Sequence, residues 1–124
     1  MTRYFEDFAV GDVYDLGTVS ASQDEIIAFA KQFDPQPFHT DPQLAKDSAF
    51  GTLVASGWHT GGLLMRLLVE SILNESISMG SPGIDEVRWR QPEHPDEKVA
   101  RPFYRSRSQY LEESSKHGHR SFTV

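Results

Sequence analysis

Apolar and polar positions divide the chain into a few distinct pieces. After a Gly11-Asp12 turn, Val13, Tyr14, Leu16 and Val19 predict a short strand interrupted at Gly17. Ser22 then opens a helix. Ser22 and Glu25 stand in the S-x-x-E spacing of a capping box, and Ile26, Ile27, Phe29, Ala30 and Phe33 form an apolar stripe at helical spacing. The helix stops near Phe33, because Pro35 disfavours helical geometry at Asp34. Residues 34–58 form a long connection punctuated by Pro35, Pro37, Pro42, Gly51 and Gly57, with a short helix predicted over Gln43 to Ser48. A connection of this length inside a small domain is usually functional. The strongest helix runs from about Trp58 to Asn74. It is apolar around most of its circumference, which predicts enclosure by other structure. Ile84, Val87 and Trp89 predict one more strand. Beyond Trp89 the periodicity fades. Val99 to Phe103 and Tyr104 to Leu111 barely alternate, and Ser114 to Ser121 is polar and basic.

Composition narrows the class. The chain has 124 residues, 38% of them hydrophobic, which allows one core and one domain. It contains no Cys, excluding a disulfide scaffold, a thiol nucleophile and thiolate zinc sites. The run from Gly61 to Val69 is broken by Arg66 and falls far short of a membrane span, which takes about 20 residues. The first residues carry no secretory pattern, so a soluble cytoplasmic protein is expected. The net charge of −6 argues against nucleic-acid binding. The charge is uneven: Arg101, Arg105, Arg107, Lys116 and Arg120 face only Glu112 and Glu113 in the last stretch, so the acidic excess lies in the first hundred residues.

Two stretches carry candidate chemistry. Asp34 and His39 flank a segment stiffened by Pro35 and Pro37, so a carboxylate and an imidazole can keep a fixed separation. Such a pair can move a proton at neutral pH. An aspartate before proline also serves as a plain helix stop or turn cap, and a lone loop histidine as a surface residue. The second stretch, Ala55-Ser56-Gly57-Trp58-His59-Thr60-Gly61-Gly62, enters the apolar helix, where unpaired N–H groups carry partial positive charge. A glycine there admits close approach to the backbone and suits a developing oxyanion. Ser56 or Thr60 also serves as a simple N-cap. His117-Gly118-His119 looks like a metal-ligand pair, but no third ligand neighbours it, and no metal is expected.

The order of these pieces resembles the MaoC-like hydratases, the (R)-specific enoyl-CoA hydratases of the hot-dog fold. The family signature Asp-x-Asn-Pro-x-His is matched by Asp34, Pro35, Gln36, Pro37, Phe38 and His39, with Gln36 in the Asn place. The loop and helix signature is matched by Phe50-Gly51 and Ala55 to His59, and the resemblance covers roughly residues 3–92. It implies an α+β domain in which a long central helix is wrapped by an antiparallel sheet. It further implies hydration of a trans-2-enoyl thioester, or the reverse dehydration, without cofactor or metal. Asp34 and His39 would be the catalytic pair holding the water, the Gly57 N–H an oxyanion donor, and Gln36 an orienting residue. Ser56 would touch substrate or cap the helix. His59 would be a packing residue and Asp41 an N-cap. The implied partners are an acyl-CoA or acyl-carrier thioester and a second copy of the chain in a homodimer, with neither nucleic acid nor membrane.

Residues 93–124 depart from the family pattern. Within the single domain of residues 1–124 they read as an atypical segment with incomplete strands, from truncation, a reading-frame change near residue 92 or divergence. The competing activities are a hot-dog acyl-CoA thioesterase and a non-catalytic acyl-thioester-binding subunit. A hydrolase can manage with one carboxylate, so the Asp34/His39 pair favours hydration.

Overall fold

The computed structural model describes residues 2–84, 86–104 and 121–123. Strand β1 (Val13–Val19) is followed by helix α1 (Gln23–Phe33) and two single-turn helices, α2 (Pro37–Thr40) and α3 (Pro42–Ala45). The long helix α4 (Gly57–Ser71) leads to three more strands, β2 (Glu86–Arg88), β3 (Val99–Tyr104) and β4 (Ser121–Thr123).

The local signals act as the sequence predicts at most helix ends. The Ser22 hydroxyl accepts the Glu25 N–H at 3.2 Å and starts α1. Asp34, at φ −152° and ψ 69°, leaves helical geometry and stops it ahead of Pro35. Pro37 and Pro42 occupy first-turn positions of α2 and α3, where a missing N–H costs nothing. Asp41 is the N-cap of α3, accepting the N–H groups of Gln43 at 2.8 Å and Leu44 at 3.2 Å. The α1 stripe is narrower than its composition implies. Ile26 and Ala30 are buried, whereas Phe33 is exposed at the helix end and touches only the Phe29 ring among aromatic neighbours within the described residues.

Two apolar clusters hold α4 in the middle. Leu67, Leu68 and Ile72 of the helix and its end pack on Leu16 of β1, with Tyr14 and Val19 alongside. Leu64 packs on Val99 of β3 and Val87 of β2. A third cluster, Ile26, Ala45, Leu53 and Ala55, joins α1 and α3 to the segment that precedes α4. The opposite face of α4 is less covered than its apolar circumference predicts, with Trp58 and Met65 exposed.

Strand pairing departs most from the sequence pattern. β1 pairs antiparallel with β3, from Val13 opposite Tyr104 to Val19 opposite Val99. The register shifts between Asp15 and Thr18, where Gly17 takes a φ of +81° that glycine adopts without strain. β3 is a strand despite its weak alternation and Pro102, because pairing with β1 and packing of Val99 override local pattern. β2 pairs with β4 in parallel, Glu86 to Arg88 against Ser121 to Thr123, as a two-stranded sheet separate from β1 and β3, so the described strands are not wholly antiparallel. The remaining sequence expectations for residues 105–120, including His117 and His119, lie outside the described residues.

Candidate active site

The site forms where three chain segments meet. Asp34 is the residue that ends α1, His39 sits on α2, and Ser56 and Gly57 begin α4. Residues 53–56 run buried beneath α2, tied by the Val54 N–H to the Phe38 carbonyl at 3.1 Å and the Ala55 N–H to the Glu93 carbonyl at 2.8 Å. This threading delivers Ser56 to Asp34.

His39 is buried, and its Nδ1 lies 2.6 Å from the Val54 carbonyl oxygen. A carbonyl only accepts, so Nδ1 carries the proton and neutral His39 presents a lone pair at Nε2. That Nε2 stands 3.4 Å from Asp34 Oδ2. The same Oδ2 accepts the Ser56 hydroxyl at 2.7 Å, and Oδ1 accepts the Gln36 amide at 2.8 Å. Burial by itself pushes the Asp34 carboxyl up. The hydrogen bonds from Gln36 and Ser56, with a smaller electrostatic contribution from the neighbouring His39, outweigh it and leave the carboxyl below the usual aspartate value.

His39 and Gly57 face a common cleft of about 380 Å³, walled by Phe38, Phe50, Val54 and Trp89 among others. This volume lies at the small end of ligand pockets. Ser56 is fully buried and occupies the N-cap position of α4, yet its hydroxyl goes to Asp34 instead of capping the helix. The first N–H groups of α4, Gly57's included, have no carbonyl one turn back to bond.

All five residues singled out from the sequence therefore converge: Asp34, Gln36, His39, Ser56 and Gly57. His59 stands apart as a packing residue, stacked on Phe29 with centroids 4.6 Å apart and planes at 9°. Its Nδ1 is buried without a hydrogen-bond partner among the described residues. Burial lowers its pKa, against a smaller opposing pull from Glu25. Two contributors escaped the sequence reading. The Val54 carbonyl, which fixes the His39 tautomer, leaves no side-chain signal. Trp89 was legible only as a strand residue, although it covers Gly57. No group of His, Cys, Asp and Glu able to hold a metal occurs among the described residues.

A long helix laid on a sheet, with the site at the helix N-terminus, defines a hot-dog domain. The chain belongs to the MaoC-like domain family, which it matches over residues 7–120. It is 42% identical to the MaoC-like dehydratase of Rhodospirillum rubrum, whose crystal structure superposes with a TM-score of 0.70, covering 77% of this chain and 65% of that one. The Monoamine oxidase regulatory protein of an Archaeoglobus species shares the fold at a TM-score of 0.70 and 24% identity, over 82% of this chain and 70% of that one. The uncharacterized protein YdeM of Bacillus subtilis is 27% identical over 94 residues, 76% of this chain and 67% of its own. The chain thus spans about two thirds of the length of the Rhodospirillum and Bacillus relatives.

Proposed function

We propose that this protein adds water to a 2-enoyl thioester, or removes it from a 3-hydroxyacyl thioester. One observation carries the reading: Asp34 Oδ2 lies 3.4 Å from Nε2 of His39, which lines the same cleft as Gly57. With His39 neutral, both atoms are acceptors. A water placed between them can donate one O–H to each, leaving an oxygen lone pair for attack.

The water oxygen bonds to C3 of the enoyl group, and the π electrons move through C2 toward the thioester oxygen. The water gives one proton to the Asp34/His39 pair, and the pair returns a proton to C2. The net change is one C–O and one C–H bond formed across the former double bond, with the pair restored. Negative charge develops on the thioester oxygen, and in this reading the N–H of Gly57, at the positive end of α4, donates to it. Gln36 and Ser56 hold the carboxylate in one orientation.

The test is hydration of crotonyl-CoA, followed by loss of the enoyl absorbance with a thiol reagent present. Loss of absorbance without free thiol is the expected result. Free thiol identifies a thioesterase, and neither signal identifies a binding-only subunit. The hot-dog fold and the exposed Trp58 and Met65 on α4 lead us to infer a homodimer, checked by light scattering. No helix among the described residues is long and apolar enough to cross a membrane. A cytoplasmic location is part of this reading.

A further inference from the structure

We propose that Trp89 is the positioning residue of the oxyanion-donating turn, a role that rests on the hydration reading. Trp89 follows β2 and lies 32 positions from Gly57 in sequence, yet its Nε1–H donates to the Gly57 carbonyl at 2.6 Å. The indole ring is seated directly on Gly57. A Cβ at that position would stand 2.6 Å from Cε2, 2.8 Å from Cδ2 and 2.9 Å from Nε1 of the ring. Trp89 also lines the cleft shared by His39 and Gly57, and its outer side meets Trp58 edge-on at 5.2 Å and 76°.

Three consequences follow from this contact. The ring fills the space of a side chain at Gly57, so the glycine serves the approach of Trp89 as well as that of a ligand. The hydrogen bond fixes the plane of the Gly57–Trp58 peptide, and with it the first turn of α4. A carbonyl that accepts a hydrogen bond also polarises the N–H of its own peptide, here that of Trp58, which follows the Gly57 N–H in the same turn. Charge develops on the thioester oxygen only as the bond to water forms, so a better-aligned donor acts on the transition state more than on bound substrate. Trp89 therefore governs turnover more than substrate affinity.

The experiment pairs kinetics with a ligand-free readout. Trp89→Phe keeps a ring over Gly57 and removes the N–H, whereas Trp89→Ala removes both. In crotonyl-CoA hydration, Trp89→Phe is expected to lower kcat about 3- to 10-fold, the worth of one hydrogen bond, with KM within about twofold. Trp89→Ala is expected to lower kcat further. In the NMR spectrum of the unliganded protein the Trp89 indole N–H, held by the Gly57 carbonyl, should exchange with solvent more slowly than that of a free tryptophan. An active wild type with unchanged kcat in Trp89→Phe overturns the Trp89 role and leaves the hydration reading standing. A Trp89 indole N–H that exchanges as fast as free tryptophan overturns the contact itself. A wild type inactive on crotonyl-CoA overturns the hydration reading and the role of Trp89 with it.

Discussion

Ser56 and Asp34 lie 22 positions apart in the chain, and the Ser56 hydroxyl donates to the Asp34 carboxylate at 2.7 Å. The bond joins the end of α1 to the start of α4. It couples the carboxylate that faces His39 to the turn that bears Gly57, so the two halves of the site cannot drift independently.

Replacing either member of the acid–base pair should cost most. Asp34→Asn and His39→Gln are each expected to lower kcat by about 100-fold or more, the usual contribution of a positioned proton-transfer group. Circular dichroism should show a folded protein in both cases. A variant with normal turnover removes that residue from the mechanism.

Ser56→Ala removes a donor to the charged form of Asp34, and Gln36→Leu removes the other. Each should raise the Asp34 pKa toward the ordinary value and lower activity about tenfold. The acid limb of the rate profile should move to higher pH. The sign for stability is fixed by the same shift. A depressed folded pKa adds stability above the unfolded aspartate value of about 3.9, and that stability is lost as the pH falls through the folded value. Acid unfolding of Ser56→Ala should therefore begin at higher pH than in the wild type.

His59 predicts a second pH effect at a different place. Burial holds its imidazole below the usual histidine value, so the unfolded chain binds the proton first as pH falls. The stability from neutral His59 is full above about pH 6.5 and declines as the pH falls toward the lower folded value. His59→Phe retains an aromatic partner for Phe29 and should flatten this decline. Thermal melts at several pH values between neutral and mildly acidic provide the check.

Gly57→Ala places a methyl group 2.6 Å from the Trp89 ring. The indole must move, at a cost of about 1–3 kcal/mol for overpacking. Denaturant unfolding should report that loss, and hydration activity should fall with it.

Much of this site could be read from the chain because its first elements are local. Asp34, Gln36 and His39 fall within six residues, and two prolines restrict the backbone between them, so their proximity needs little help from the rest of the fold. The capped start of α1 and the apolar length of α4 are equally local signals. The exposed Phe33 was misleading for the opposite reason. Its helical spacing matches the core stripe, but it sits on the last turn, where the chain leaves the core.

Short-range chemistry encoded in the sequence thus determined where helices begin and end, and which carboxylate and imidazole can meet. Tertiary structure alone decided the long-range partners: Ser56 on Asp34, the Val54 carbonyl on His39, Trp89 on Gly57 and β3 on β1. These contacts join segments distant in the chain through backbone atoms and buried surfaces. No periodicity or motif encodes them, because only packing of the whole domain determines which segments become neighbours.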